Sequence, residues 1–305
     1  MKKHFLSLLF LLLAMFVEAN PVGQMLERLQ KGLSSRFKIE IHSSSDQGDD
    51  YFELYGGGRK VTVRANNYVS AAFGINWYLK YYCHAQVSFC KDQLPQLPAD
   101  LPQVKERHAT KLSDNFYMNY CTFSYTTAFW DWKRWEREID LMAMNGINMP
   151  MAMVGAEVVW RNTLLKFGYT LSEVKEFLCG PAYFGWLLMG NLENIGGPLP
   201  DEWFKEQIVL QKKILTRMRK YGMRPVFQGF FGMVPSSLKK NIRKLVCWSK
   251  GCGIRFNVLR CLILPIHCLN RWQRSGMLNM RSFLGKETCL AAIFFTKVER
   301  PEVLM

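Results

Sequence analysis

Residues 114–155 contain the pattern that most constrains the fold, because a strand, a loop, a helix and a second strand follow one another. Phe116 to Cys121 is a short apolar and aromatic run that predicts a buried strand. The polar and aromatic residues 122–130 predict a long loop. The helix after it has one apolar stripe opposite a charged face, and the stripe is formed by Trp132, Trp135, Ile139 and Met142.

The second strand of this unit completes a βαβ arrangement. Gly146 stands where a helix ends in a left-handed residue, and residues 147–154 are almost continuously apolar, as in a parallel strand covered on both faces. Such units are right-handed in nearly all proteins, and their functional groups lie at the carboxyl ends of the strands. We therefore expect functional side chains within residues 119–121 and 153–157.

The segment before this unit predicts a small N-terminal α/β domain that ends near Pro102. Apolar and polar residues alternate on both sides of Gly56, Gly57 and Gly58, which indicates a hairpin. A turn explains this glycine triplet better than a phosphate-binding loop does. The expected elements are a helix at 25–33, strands at 36–43, 51–55, 59–64 and 85–89, and a helix at 68–82 with Ala71, Ala72, Ile75 and Leu79 inward. The proline-rich residues 92–104 are typical of a linker.

The segment after the unit continues the alternation of helices and strands. Helices are expected at 155–168, 172–178 and 201–221, and a third strand at 224–230. Residues 180–191 are aromatic, punctuated by glycine and almost uncharged, which predicts a long structured loop of functional importance.

The first nineteen residues predict a signal peptide, with a basic start, an apolar core at 5–17 and a small-residue cleavage pattern that ends at Ala19. An anchor that stays uncut is the alternative. The predicted signal peptide implies export, so the expected location is the periplasm or the extracellular space. No later run is long enough for a membrane helix. Cys83 and Cys90 are close enough in sequence to form a disulfide in an oxidising compartment, and two buried thiols are the equally supported alternative.

The net charge of +15 does not indicate nucleic-acid binding. More than half of the excess lies after residue 240, and no nucleic-acid-binding motif accompanies it. That tail also holds five of the nine cysteines without a CxxC pair, so a zinc site is not expected. The five are Cys247, Cys252, Cys261, Cys268 and Cys289.

Four segments resemble the α-N-acetylglucosaminidase family of glycoside hydrolases: NYCTFSY, WDWKRWEREIDLMAMNGIN, GPAYFGWLLMGNL and GGPLPDEW. The resemblance extends from about Phe37 to about Leu238. It implies an α/β protein with a small N-terminal α/β domain, a (β/α)8 barrel of the TIM type and a C-terminal helical domain. It also implies that the enzyme removes terminal α-linked N-acetylglucosamine from a glycan by a retaining mechanism, with no metal and no cofactor.

The resemblance also implies which residues contact the sugar. Asn119 and Cys121 at the end of the first strand, and Trp186 and Met189 in the aromatic segment, match pocket positions of the family. Tyr78 of the N-terminal domain matches a tyrosine that reaches the pocket. From the residues alone, the favoured alternatives are packing for Cys121, Met189 and Tyr78 and a strand-end cap for Asn119. Glu157 is interpreted as structural or loop-orienting, and Glu136 and Glu138 are placed on a solvated helix face.

The catalytic acid/base and nucleophile are expected downstream of Leu238, where the resemblance stops. A (β/α)8 barrel needs about 250 residues, and residues 241–305 show no helical or strand period. The genetic code allows residues 291–299 to be encoded by codons that, read two bases later, spell Asp-Leu-Phe-His-Glu-Gly-Gly. This shifted sequence resembles the segment with a catalytic glutamate in bacterial members of the family. The hypothesis is a frameshift just after Ser237 that leaves a truncated, inactive enzyme. The alternative is a non-catalytic carbohydrate-binding remnant.

The predicted organisation is therefore a signal peptide at 1–19, an α/β domain at 20–102, an incomplete barrel at 103–240 and an unpatterned tail at 241–305. The predicted partner is a glycan with terminal α-linked N-acetylglucosamine. Nucleic acid is not expected as a partner, nor is a membrane span after signal cleavage.

Overall fold

The computed structural model describes residues 20–42, 49–228 and 235, together with the backbone of three short strands after residue 245. The predicted signal peptide and most of the tail lie outside these residues. Eight helices occur in the described part: α1 Pro21–Leu29, α2 Tyr68–Tyr81, α3 Tyr120–Tyr125, α4 Trp132–Met144, α5 Ala156–Lys166, α6 Leu171–Phe177, α7 Phe184–Leu188 and α8 Asp201–Lys220. The strands are β1 Phe37–Ile41, β2 Asp50–Gly58, β3 Lys60–Ala65, β4 Leu101–Thr110, β5 Phe116–Tyr117, β6 Met149–Pro150, β7 Val226–Gln228, β8 Val246–Ser249, β9 Arg260–Ile263 and β10 Cys289–Ala291.

The chain divides into two compact units. Among the described residues, the first unit comprises 20–42, 49–115, 138–148 and 220–223, and the second comprises 116–137, 149–219 and those from 224 onward. No helix in the described part is both long and apolar enough to cross a membrane.

The first unit is built on a four-stranded sheet with the order β1-β3-β2-β4. β1 runs parallel to β3, while β2 pairs antiparallel with both β3 and β4. Helix α2 packs on this sheet, and its inward residues Ala71, Ala72, Ile75 and Leu79 are at most 1% exposed. A Cβ at Gly74 would lie 2.9 Å from the Phe52 ring, so glycine is what permits this close approach. The hairpin and the helical stripe predicted for this segment are confirmed.

The proline-rich segment is partly a strand. Leu101–Thr110 forms β4 and pairs with β2 over its length, whereas the strand expected at residues 85–89 is reduced to one isolated bridge between Gln86 and Gln93. Pro102 is compatible with this position because β4 is an edge strand, where a missing backbone N–H breaks no central ladder.

The second unit contains the parallel strands of the barrel. Phe116 pairs with Met149 in parallel, Met151 forms a parallel bridge to Val226, and β7 pairs in parallel with β10. Helix α4 connects β5 to β6, and α8 leads into β7, as the βαβ pattern predicts. Gly146 and Gly222 adopt the expected left-handed conformation, with φ of 74° and 79°.

Two loop predictions in this unit were wrong. The first strand ends at Tyr117, and residues expected to form its end and the following loop form helix α3 instead. Met118 has a φ of 76°, which turns the chain, and the Asn119 side chain caps the helix. The aromatic segment is also helical, because a 3₁₀ turn at Pro181–Tyr183 leads directly into α7.

The expectation of a solvated face on α4 was wrong for Glu138, which is 2% exposed. Glu136 lies at the edge of that face and forms an ion pair with Arg217. A stripe of apolar residues identifies the buried side of a helix, but charged residues beside it are buried too when partners approach them.

Candidate functional site

Asn119 begins helix α3 and is exposed. Its Oδ1 accepts hydrogen bonds from the Thr122 backbone N–H at 3.0 Å and from Thr122 Oγ1 at 2.9 Å. The cap satisfies a backbone donor at the start of the helix. Because the cap uses the oxygen, the side-chain NH₂ group is the part of Asn119 that can donate to a ligand hydroxyl.

Gly185 lets helix α7 approach α3 at close range. Its backbone N–H donates to Ser124 Oγ at 2.6 Å, and a Cβ at this position would lie 2.3 Å from the Tyr120 carbonyl oxygen. No other residue type fits without moving one helix. The glycine that punctuates the aromatic segment therefore has a packing role.

This close approach brings three of the five predicted site residues together. Cys121 Sγ on α3 lies 4.0 Å from Met189 Sδ at the end of α7. The ring of Trp186 on α7 meets Tyr125 on α3 edge to face, with 6.1 Å between centroids. Cys121, Trp186 and Met189 are all partly exposed, so they form an accessible apolar surface beside the capped start of α3.

Gln228, at the carboxyl end of β7, is a neighbour of this surface that sequence reasoning missed. Its Nε2 donates to the Leu188 carbonyl oxygen at 2.8 Å and so ties the end of α7 to the strand. A polar residue at the carboxyl end of a predicted barrel strand is the signal that could have identified it.

Tyr78 lies in the first unit and is fully buried there. Its hydroxyl donates to the Pro102 carbonyl oxygen at 2.7 Å, and its ring stacks on Tyr82 and meets Phe37 edge to face. Burial raises the pKa of this hydroxyl. Tyr78 belongs to the first unit and the other four candidates to the second, and its contact with a sugar stays a prediction.

Glu157 is a buried acid in the first turn of α5, just after the left-handed Gly155. Its Oε1 accepts a hydrogen bond of 2.8 Å from Trp203 Nε1. Burial raises the pKa of this carboxyl group from 4.5 to about 7, and the hydrogen bond from Trp203 opposes that shift. Glu157 is therefore a neutral acid over most of the range below pH 7.

No group of three or more His, Cys, Asp or Glu residues in the described ranges is placed to hold a metal ion. Cys83 is buried, Cys90 is exposed, and both are free thiols. The chemistry of the α3–α7 surface is that of recognition: an amide donor at the start of α3, and sulfur and aromatic groups that suit an apolar ring face or a methyl group.

Two family models match this chain. The Alpha-N-acetylglucosaminidase (NAGLU) N-terminal domain matches residues 20–103, and the Alpha-N-acetylglucosaminidase (NAGLU) TIM-barrel domain matches residues 115–255. Together these matches cover more than half of the chain. The chain belongs to the α-N-acetylglucosaminidase family. The resemblance found in the sequence is thereby confirmed, and so is the fold class of an N-terminal α/β domain followed by part of a TIM barrel.

The human α-N-acetylglucosaminidase is a relative of this family member and is 39% identical to it over 242 residues. That alignment covers 76% of this chain and 32% of the human protein. The family 89 glycoside hydrolase from Clostridium perfringens, solved with PUGNAc and with GlcNAc-α-1,4-galactose, superposes with a TM-score of 0.82 at 35% identity. It matches 88% of this chain, which spans 31% of that enzyme.

A GH20 β-N-acetylhexosaminidase from Streptomyces coelicolor shares the fold at a TM-score of 0.52 and 13% identity. The family members compared with this chain are glycoside hydrolases, and the chain spans about a third of their length, 32% and 31%.

Proposed function

We propose that this chain forms the sugar-recognising part of an exported, retaining α-N-acetylglucosaminidase that removes terminal α-linked N-acetylglucosamine. The observation that carries this proposal is the contact between α3 and α7, which brings Cys121, Trp186 and Met189 to one accessible surface. Trp186 and Met189 would contact the apolar ring face and the acetamido methyl group, and Asn119 would donate to a ring hydroxyl. The Clostridium enzyme, a relative at 35% identity, was solved with a disaccharide that has this terminal sugar.

The catalytic step of a retaining glycosidase needs two carboxyl groups about 5 Å apart. One protonates the glycosidic oxygen, and the other forms a covalent glycosyl-enzyme that water then hydrolyses. We propose that both groups belong to a part of the barrel downstream of Leu238, and that the frameshift inferred after Ser237 replaces it here. Sequencing the gene across codons 235–250 tests the frameshift, and an intact single frame matching a relative would contradict it.

The assay is hydrolysis of an aryl α-N-acetylglucosaminide by the 305-residue chain and by a frame-restored, full-length protein. We expect turnover from the full-length protein and none above a vector control from the chain as it stands. Turnover by the 305-residue chain would contradict the proposed truncation. Inactivity of a folded full-length protein would contradict the glycosidase assignment. Export is tested separately by N-terminal sequencing of the mature protein, which should begin at or near Asn20.

A second candidate function is carbohydrate binding without hydrolysis, because the α3–α7 surface contains groups suited to recognising a sugar. The full-length assay separates the two functions. Binding of N-acetylglucosamine without turnover by the folded full-length protein would favour the binding function.

A further inference from the structure

The second unit has an aromatic groove between the residues before α4 and the first half of α8. Its volume is about 510 Å³, which falls within the range of roughly 300–1,000 Å³ for small-molecule sites. Four aromatic side chains line it: Phe129, Trp130, Trp132 and Trp203. Phe129 is 73% exposed, and its ring meets Trp203 edge to face with 6.4 Å between centroids. Exposed aromatic side chains gathered in one groove offer flat apolar surfaces to a ligand.

The groove adjoins a small inner cavity of about 40 Å³. Trp130, Trp203 and Gln207 are among the residues that line both spaces. The cavity is also lined by three buried side chains with polar groups, namely Thr127, Trp135 and Glu157. The aromatic groove therefore has a polar inner end.

Two of these polar groups lack a hydrogen-bond partner among the described residues, the Oγ1 of Thr127 and the Nε1 of Trp135. Thr127 is 4% exposed and Trp135 is 1% exposed, so bulk solvent does not compensate them. An unsatisfied buried donor or acceptor costs about 1–3 kcal/mol. A purely apolar occupant would leave both unpaired, so the groove favours an occupant with hydroxyl or amide groups.

The charged side chains around the groove balance one another, so they select neither an anion nor a cation. Asp131 and Glu206 disfavour an anion, while Lys205 and Lys213 disfavour a cation. The face of Trp130 already holds a cation, because the Arg134 guanidinium lies 4.0 Å from its ring centroid. The remaining ligand class is neutral, with an apolar face and polar substituents.

We propose that the aromatic groove binds a neutral pyranose of a glycan as a second carbohydrate site. One ring face packs against Phe129 and Trp132, and a hydroxyl or acetamido group enters the inner cavity, where it pairs with Thr127 and Trp135. None of the residues lining either space is Asn119, Cys121, Trp186 or Met189. The groove therefore adds to the proposed sugar contacts rather than restating them.

The test is titration of the full 305-residue chain with methyl α-N-acetylglucosaminide and with GlcNAc-α-1,4-galactose, followed by saturation-transfer NMR and calorimetry. Phe129→Ala and Trp132→Ala each remove an aromatic wall, and Thr127→Val removes one hydroxyl at nearly constant shape. Tyr81→Ala is the matched control, since it removes an exposed aromatic side chain from the first unit. Circular dichroism melts verify that each variant is folded, and Phe129 is exposed enough for its loss to leave folding intact.

We expect each groove variant to raise the Kd for at least one sugar fivefold or more, and Tyr81→Ala to leave it unchanged. Trp186→Ala separates this proposal from the proposed function, because binding in the groove should persist when that side chain is removed. If only Trp186→Ala weakens binding, or if neither sugar binds the wild-type chain, the second site does not exist. Loss of binding in the groove variants alone would support the groove while contradicting the α3–α7 surface.

Discussion

Asp140 on α4 accepts two hydrogen bonds from Arg28 on α1, a residue 112 positions earlier in the chain. The Nε and Nη2 atoms of Arg28 lie 2.8 Å from the two carboxylate oxygens. Tyr221 donates a third hydrogen bond of 2.7 Å to the same carboxylate. The Asp140 side chain is only 4% exposed and that of Arg28 is 29% exposed, so the carboxylate lies in the interior of the first unit and the guanidinium at its edge.

We predict that Asp140→Ala destabilises the protein by about 1–3 kcal/mol, because the buried Tyr221 hydroxyl and the Arg28 guanidinium lose the carboxylate that accepts hydrogen bonds from both. The change should appear as a lower Tm and a lower denaturant midpoint. Lys205→Ala is the control, since the Lys205–Glu202 pair is exposed and such pairs contribute about 0–1 kcal/mol. Equal melting temperatures for Asp140→Ala and the wild type would show that the pair does not support the fold.

Glu157 should make stability depend on pH between about 4.5 and 7. In the unfolded chain the carboxyl loses its proton near its ordinary pKa of 4.5, whereas the folded protein keeps the proton until about 7. The stabilisation is therefore fully present below pH 4.5 and is lost as pH rises through 7. The difference between these pKa values corresponds to about 3 kcal/mol.

The measurement is the free energy of unfolding from pH 5 to 8.5, compared with that of Glu157→Gln. The variant retains an acceptor for Trp203 but has no proton to lose, so its profile should lack this decline. Cys179, another titratable group lining the same cavity, has a pKa raised by burial to about 11 and does not titrate in this window. Parallel profiles for the two proteins would show that Glu157 ionises normally.

Gly185→Ala should separate α3 from α7, because the added Cβ would overlap the Tyr120 carbonyl oxygen. We expect a loss of about 1–3 kcal/mol of stability, as is typical of overpacking, together with weaker N-acetylglucosamine binding. Gly23→Ala is a matched control, since a Cβ there meets no atom closer than 3.9 Å. A Gly185→Ala protein as stable as Gly23→Ala would mean that the approach of the two helices is less tight than described.

Trp186→Ala should lower kcat/KM of the frame-restored, full-length protein by roughly ten- to a hundredfold, with little change in Tm. Each factor of ten corresponds to a loss of about 1.4 kcal/mol of transition-state stabilisation. Asn119→Ser should act in the same direction, because serine still caps α3 but lacks the amide donor. Lys133→Ala, on an exposed position of α4, should change neither quantity. Unfolding or unaltered turnover in Trp186→Ala would assign that side chain to packing.

The spacing of apolar residues along the chain predicted several helices and strands, because that spacing depends only on neighbours in sequence. The alternation on both sides of Gly57 specified the hairpin, and the stripe that includes Trp135 specified α4, because side-chain spacing alone decides which face of an element is buried. The family segments predicted three side chains that meet at one surface, namely Cys121, Trp186 and Met189. Only the structure showed what Tyr78 contacts inside the first unit, because the Pro102 carbonyl that accepts from its hydroxyl is 24 positions away in the chain.

The sequence by itself determined the βαβ order, the glycines that end α4 and α8, and membership of the α-N-acetylglucosaminidase family. Only the tertiary structure decided the burial of charged and polar groups. Glu138 and Asp140 lie beside the apolar stripe of α4, on the charged face that the sequence pattern predicts to be solvated, yet both are buried. Asp140 is buried because Arg28 and Tyr221 supply hydrogen bonds from distant positions in the chain, and no local period records a partner 112 residues away.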